Sequence, residues 1–109
     1  FSVKGGKMIA VALASSSTTL KTLDLRRNGL DAEAGKALAK GLEGNTTMTD
    51  LNLMGNDLGV EGAKAIAKML EVNTTLTKVD LRFNYGLDDA AKNALREAVK
   101  GRKGFELEL

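Results

Sequence analysis

A period of 28 residues runs through most of this chain and constrains its fold more than any other feature. Apolar residues and one asparagine recur at that spacing: Leu20, Leu23, Leu25, Asn28 and Leu30, then Met48, Leu51, Leu53, Asn56 and Leu58, then Leu76, Val79, Leu81 and Asn84. A repeat of this length is one structural unit that cannot bury its apolar face alone. The units must therefore stack on one another.

The spacing of apolar residues changes within each unit. Leu23 and Leu25, like their counterparts, alternate with polar residues, which is the period of a β-strand with one buried face. The second half of each unit has apolar and small residues at steps of three and four, as in a helix: Ala34, Ala37, Leu38, Gly41 and Leu42; Gly62, Ala65, Ile66, Met69 and Leu70; Ala91, Ala94, Leu95, Ala98 and Val99. Strand and helix in alternation predict right-handed parallel crossovers. The predicted fold is an α/β solenoid with parallel strands on the concave face and helices on the convex face.

The pattern L-x-x-L-x-L-x-x-N-x-L with a helical second half resembles the ribonuclease-inhibitor-like class of leucine-rich repeats. This class includes ribonuclease inhibitor, the sensor domains of NOD-like receptors, the Ran GTPase-activating protein and tropomodulins. Asn28, Asn56 and Asn84 match the class asparagine. The resemblance implies that this amide is buried at the strand exit and bonds loop backbone groups of its own and the adjacent repeat.

The repeat boundaries predict one domain over residues 1–109. It comprises a half repeat at 1–19, full repeats at 20–47, 48–75 and 76–103, and a final strand at 104–109. The third unit has one extra residue between Asn84 and Leu87, and a compensating deletion around 101–104 returns Leu107 to the register of Val79. Neither end has the polar character of a capping repeat, so we expect a fragment of a longer protein with further repeats.

Composition excludes several classes of function. The chain has no cysteine and no histidine. It therefore cannot form a disulfide, a zinc site built on those residues or the usual acyl-transfer triads. We also expect no cofactor. Absent cysteine also makes a reducing, cytoplasmic setting the simplest expectation. The 16 basic and 14 acidic residues are interspersed, which disfavours nucleic acid or a membrane surface as partner. No stretch approaches the roughly 20 apolar residues of a membrane-spanning helix.

The sequence indicates a partner protein bound on the concave face. There, side chains that point away from the core differ from repeat to repeat while the buried positions stay constant, and arginine and large apolar residues are the types that dominate interfaces. The candidate partner-binding residues are Asp24, Arg26, Arg27, Asn52, Met54, Asp80, Arg82 and Phe83. We expect Met54 and Phe83 to be exposed, and charge reversal of Arg26 with Arg82 to weaken binding without affecting stability. In the alternative interpretation, Asp24 with Arg26 and Asp80 with Arg82 only pair on the surface.

Three biological roles fit such a scaffold. The first is a regulatory or ligand-sensing role, the second is a cytoskeletal module of tropomodulin type that caps actin filaments, and the third, less favoured, is GTPase activation through an arginine. An enzyme is disfavoured because Asp24, Asp80 and Glu108 would form an open column without a cleft.

Two further motifs have structural explanations. Asn45-Thr46-Thr47 and Asn73-Thr74-Thr75 satisfy the glycosylation sequon, but they fall in the loop from helix to strand that every repeat requires. The lysines at 36, 40, 64 and 68 interleave with glutamates at 33, 43, 61 and 71, as on a solvated convex helix face.

Overall fold

The computed structural model describes residues 20–109, which form one parallel sheet backed by three helices. In chain order the elements are β1 (Thr22–Asp24), α1 (Ala32–Glu43), β2 (Asp50–Asn52), α2 (Gly59–Val72), β3 (Lys78–Asp80), α3 (Asp89–Ala98) and β4 (Glu106–Glu108). The sheet order is β1-β2-β3-β4, so each helix connects two neighbouring strands. The predicted α/β architecture is confirmed, whereas the half repeat predicted over 1–19 lies outside the described residues.

The strand register follows the sequence period. Leu23, Leu51, Val79 and Leu107 lie side by side on successive parallel strands. The pairing of Val79 with Leu107 shows that β4 returns to the 28-residue register after the longer third unit. Each strand residue on the concave face therefore has its neighbour 28 positions away.

The core lies between the sheet and the helices. Leu25, Leu53 and Leu81, just after the strands, are at most 1% exposed. They belong to one buried cluster together with the inward side chains of the helices, which include Leu38, Leu42, Ile66, Met69, Leu70 and Leu95. Burial of each large apolar side chain contributes about 1.5 to 3 kcal/mol. Because neighbouring repeats complete each layer of leucines, the stack is the stable unit.

Glycine allows the first two helices to pack closely. A Cβ atom added at Gly35 would lie 2.9 Å from the Leu58 side chain and 3.4 Å from the Gly62 Cα atom. A Cβ at Gly62 would in turn lie 3.5 Å from the Ala32 Cα atom. Two glycines therefore let α1 approach the start of α2 closely.

The helices begin in two different ways. Asp31 caps α1 and Asp88 caps α3, each accepting a hydrogen bond from a main-chain N–H three residues later, at 3.0 and 2.8 Å. The position of the second repeat that corresponds to Asp31 is Gly59, the first residue of α2, whose φ of +64° is in the left-handed region. The Gly59 N–H donates to the Tyr85 carbonyl at 3.1 Å. The extra residue of the third unit is thus accommodated by a turn that packs against the start of α2.

Asn56 connects the exit loops of two repeats. Its side-chain oxygen accepts from the N–H groups of Asn28 and Leu30 at 3.1 and 3.0 Å. Its side-chain nitrogen donates to the carbonyl groups of Leu25 and Leu53, both at 2.9 Å. Since Asn56 is only 2% exposed, these four bonds satisfy loop backbone groups out of contact with water.

Asn84 repeats this arrangement one unit later. It donates to the carbonyl groups of Leu53 and Leu81 at 2.9 and 3.0 Å and accepts from the Leu58 N–H at 3.3 Å. Asn28, in the first described repeat, is half-buried and bonds to a carbonyl of its own loop.

A second asparagine ladder runs through the loops from helix to strand. The Asn73 side chain donates to the carbonyl groups of Leu42 and Asn45 at 2.7 and 3.1 Å. Its oxygen accepts from the N–H groups of Thr75 and Leu76 at 2.8 and 2.9 Å. Asn45 and Asn73 are 5% and 2% exposed. The sequon motif recurs because each repeat needs this buried asparagine and the turn that follows it.

Candidate functional site

Two columns of side chains run across the concave face of the sheet, in register from strand to strand. One contains Thr22, Asp50, Lys78 and Glu106, and the other contains Asp24, Asn52, Asp80 and Glu108. The Lys78 ammonium group lies 3.7 Å from a Glu106 carboxylate oxygen, with both side chains largely exposed. An open concavity of about 370 Å³ extends over β1, β2 and β3. The structure therefore brings these side chains together on one face of the sheet.

Asp80 and Arg82 form a closely bonded ion pair where β3 ends. The guanidinium Nη2 of Arg82 lies 2.8 Å from one carboxylate oxygen of Asp80, and Nε and the main-chain N–H of Arg82 each lie 3.1 Å from the other. Hydrogen bonds from the guanidinium lower the pKa of Asp80 below its usual 3.8. They also raise the pKa of Arg82. Both groups are therefore ionised at neutral pH.

Asp24 and Arg26 repeat this ion pair at the end of β1, with an Nη2 to oxygen distance of 2.8 Å. Hydrogen bonding to Arg26 lowers the pKa of Asp24 in the same way. The two carboxylates differ in exposure: the Asp24 side chain is 55% exposed and that of Asp80 only 5%. The expectation of an acidic column open along its whole length was thus wrong, because Asp80 lies between β2 and β4 beneath its own arginine.

The middle member of this column has the same local geometry without a charge. The Asn52 side-chain oxygen accepts from the Met54 main-chain N–H at 3.0 Å, as Asp24 does for Arg26 and Asp80 for Arg82. These residues therefore fix the backbone turn after each strand. Sequence reasoning missed that role, although an Asp or Asn two residues before a turn is its usual signal.

The residue three positions after each of these Asp and Asn residues has an unusual backbone conformation in all three repeats. Arg27, Gly55 and Phe83 have φ values of +54°, +71° and +59°, in the left-handed region that favours glycine. A Cβ at Gly55 would lie 2.9 Å from the Cγ atom of Arg27, so the Arg27 stem occupies space that only glycine leaves open. Glycine at 55 is therefore favoured both by the backbone conformation and by the packing of Arg27 beside it.

Phe83 and Tyr85 protrude from the exit turn of the third repeat. Phe83 is 77% exposed and Tyr85 is 79% exposed. Met54, by contrast, is half-buried instead of exposed as expected. Beside Phe83 lies a concavity of about 320 Å³ whose lining includes Leu81, Arg82, Leu87 and Lys92. Tyr85 was not among the predicted site residues, although it occupies the position of the extra residue.

A family model described as leucine-rich repeat matches residues 16–39, 44–67 and 72–90, which together make up more than half of the chain. Those stretches are offset from one another by 28 residues, as are the paired strands. The chain belongs to the leucine-rich-repeat family. In a sequence comparison, no curated protein matches this leucine-rich-repeat chain.

The fold of this leucine-rich-repeat domain is similar to that of a solved structure, actin-binding site 2 of leiomodin-1. The TM-score is 0.89 and the sequence identity is 24%. The similarity covers 99% of this chain and 63% of the leiomodin-1 chain. At this identity the comparison establishes the shared fold, and this chain spans less than two thirds of that structure's length.

The convex face of the leucine-rich-repeat domain is highly charged. Its exposed residues include Lys36, Lys40, Lys64 and Lys68 together with Glu33, Glu43, Glu61 and Glu71. Over residues 20–109, no cluster of three or more side chains of metal-binding type is present. No helix in the same range has the length and apolar character needed to cross a membrane.

Proposed function

We propose that this leucine-rich-repeat domain is a protein-interaction module that binds its partner on the concave face and along the strand exits. The exposed Phe83 is the observation that carries this proposal. Its left-handed backbone costs about 1 to 2 kcal/mol relative to an ordinary conformation, and its exposed ring gains little from burial in the fold. A strained, exposed aromatic residue is explained if it contacts another molecule.

The predicted site residues support the proposal to different degrees. Arg27 and Phe83 are exposed, and within the described residues the Arg27 guanidinium makes no ion pair. Arg26 and Arg82 are about half exposed while bonded to their own aspartates, so they can meet a partner in a fixed orientation. The carboxylate of Asp80 is buried, so it does not contact the partner itself and contributes by orienting Arg82.

A non-enzymatic role agrees with the state of the carboxylates. Bonds from arginine hold Asp24 and Asp80 ionised, which suits ion pairing better than proton donation to a substrate. Those same bonds engage both Arg26 and Arg82, which disfavours either of these two as an arginine that acts on a partner GTPase. A regulatory scaffold and a cytoskeletal module both remain consistent with these features.

Actin is the first partner to test, because the solved structure with a similar fold is an actin-binding site. Binding of purified monomeric and filamentous actin would be measured by sedimentation and by titration. Capture from source lysate with identification by mass spectrometry would run in parallel. Actin recovered in both experiments supports the cytoskeletal role, and another specific partner supports the regulatory role. Failure of every assay to retain a protein contradicts the proposal.

The variants for this test leave the buried ion pair intact. Charge reversal at Arg82 is unsuitable, because a glutamate there would face the buried Asp80 and destabilise the fold. We therefore expect Arg27→Glu and Phe83→Ala each to weaken binding by about 1 to 3 kcal/mol. Lys36→Glu with Lys64→Glu on the convex face is the matched control and should leave affinity unchanged. Loss of binding in the control alone would place the partner on the helices.

A further inference from the structure

We infer that the exit corner of the third repeat, formed by Arg82, Phe83, Tyr85, Leu87 and Lys92, receives a partner segment that carries an apolar side chain flanked by carboxylates. This inference rests on the proposed protein-binding function and specifies the chemistry of the partner. It also shifts the centre of the predicted site from the middle of the sheet to one edge.

The concavity at this corner has an apolar wall and a cationic rim. Its apolar lining includes Leu81, Phe83 and Leu87, and its charged lining comprises Arg82 and Lys92. Among the described residues, none of the side chains that line it is acidic. A volume of about 320 Å³ accommodates one or two side chains of a partner but not a large ligand.

The electrostatics of the corner favour an acidic partner. The nearest counter-charge to Arg82 is Asp80, whose side chain is only 5% exposed, whereas Arg82 itself is 46% exposed. A partner that approaches from solvent therefore meets the guanidinium and not the Asp80 carboxylate, while the half-buried Glu108 on β4 is the second carboxylate that acts on Arg82. Lys92 makes no salt bridge to any residue within 20–109. Carboxylates on the partner would complement both cations through charge-assisted hydrogen bonds.

The turn that carries the two aromatic residues has an anchored backbone before any partner binds. The Tyr85 carbonyl accepts a hydrogen bond from the Gly59 N–H at 3.1 Å. A Cβ at Gly86 would lie 3.1 Å from the Gly59 Cα atom, so the turn is seated directly on the start of α2. Asn84 anchors the other side of the turn, because its side-chain nitrogen donates hydrogen bonds to the main-chain carbonyl groups of Leu53 and Leu81. An anchored turn loses little conformational entropy on binding, which raises affinity.

Two defined peptide pools test the inference. One contains 12-residue peptides in which Asp and Glu alternate at random with Leu, Ile and Phe, and the other has Lys and Arg in place of the acids. Binding of each pool to the whole chain would be measured by fluorescence polarisation. We expect the acidic pool to bind at least tenfold more tightly than the basic pool. No binding of either pool, or equal binding of both, overturns the inference.

Single-residue variants locate the binding site. Phe83→Gly, which keeps the left-handed turn without strain, should weaken binding of the acidic pool at least tenfold, and Lys92→Glu should abolish the preference for acid. Lys68→Glu on the exposed face of α2 is the matched charge control and should change nothing. Unchanged binding in Phe83→Gly and Lys92→Glu contradicts the inference.

The outcomes separate this inference from the proposed function. If the wild-type chain binds the acidic pool but retains neither actin nor any lysate protein, the inference stands and the proposed function fails as tested. If it retains a protein partner that Phe83→Gly and Lys92→Glu bind equally well, only the inference fails.

Discussion

The guanidinium group of Arg102 donates a hydrogen bond to the main-chain carbonyl of Asn73 at 3.0 Å. One repeat earlier, the corresponding carbonyl, that of Asn45, accepts from the Asn73 side chain. In the asparagine ladder of the loops from helix to strand, Arg102 thus takes the place in the third repeat that Asn73 has in the second. It also donates to the carbonyl groups of Leu70 and Leu76 at 3.1 and 2.6 Å.

Replacement of Arg102 by alanine should destabilise the domain by about 1.5 to 3 kcal/mol, because three carbonyl groups lose a charged donor. The Phe105 ring, whose centroid lies 4.8 Å from the guanidinium carbon, would also lose its cation–π contact. Urea denaturation would measure the change. Arg96→Ala on the exposed side of α3 is the control and should shift the midpoint little, and equal midpoints for the two variants would contradict this role of Arg102.

Replacement of Asn56 by alanine should destabilise the domain by about 1 to 3 kcal/mol, because three buried backbone groups and one half-buried group lose their partners. The exposed Asn93, which accepts a bond only from Arg96 on the same helix, provides the control Asn93→Ala. The free energies of unfolding of both variants would be compared by chemical denaturation. A midpoint for Asn56→Ala equal to that of Asn93→Ala would show that the buried ladder contributes nothing.

Phe83→Gly should leave the melting temperature unchanged or raise it. Relief of the left-handed strain is worth about 1 to 2 kcal/mol, which exceeds the roughly 0.5 to 1 kcal/mol of backbone entropy that glycine costs. The reciprocal change, Gly55→Ala, should lower stability by about 1 to 2 kcal/mol, since it adds strain and displaces Arg27. Calorimetry would measure the melting temperatures of both variants. A marked loss of stability in Phe83→Gly would show that the ring packs in the fold.

Asp80→Asn should remove a pH-dependent part of the stability. Asparagine can still accept from the Arg82 main-chain N–H, as Asn52 does for Met54, but it cannot form the ion pair. Because folding lowers the pKa of Asp80 below 3.8, the stabilisation is fully present above that pH and is lost as the pH falls through the folded-state pKa.

At pH 7 we expect the wild-type chain to be more stable than Asp80→Asn by about 1 to 2 kcal/mol. The difference should shrink as the pH falls below 3.8 and vanish once the pH is well below the folded-state pKa of Asp80. Urea denaturation at a series of pH values would measure it. Asp24→Asn, at an exposed carboxylate, should show a smaller difference, and a gap that persists unchanged to pH 2 would contradict the ion-pair explanation.

The strand register could be predicted from the sequence because the period leaves little freedom. Once Leu23, Leu51 and Val79 are recognised as equivalent, only one register buries all of them, since a shift of one residue would turn each to the other face. The recovery of the register at Leu107 was predictable for the same reason. The positions of the concave columns follow directly from that register.

The local geometry of the site was not predictable in the same way. Arginine at 27 and phenylalanine at 83 do not indicate a left-handed backbone, and only Gly55 in the same column hints at one. The burial of Asp80 depends on the strands at both sides and on its own arginine, which the periodicity does not encode. Arg102 lies one position after the place where the period puts the third asparagine. The 28-residue pattern therefore does not reveal that arginine replaces asparagine there.

The close packing at Gly35 and Gly62 has a consequence for the curvature of the molecule. In a stack of this kind, strands about 4.8 Å apart form the inner arc and helices with axes about 8 to 10 Å apart form the outer arc. The difference between these two spacings sets the angle between successive units. Glycine at the helix contact keeps the outer spacing near its lower limit, which gives a wide radius. A bulkier residue at Gly35 would widen the outer spacing and so tighten the arc.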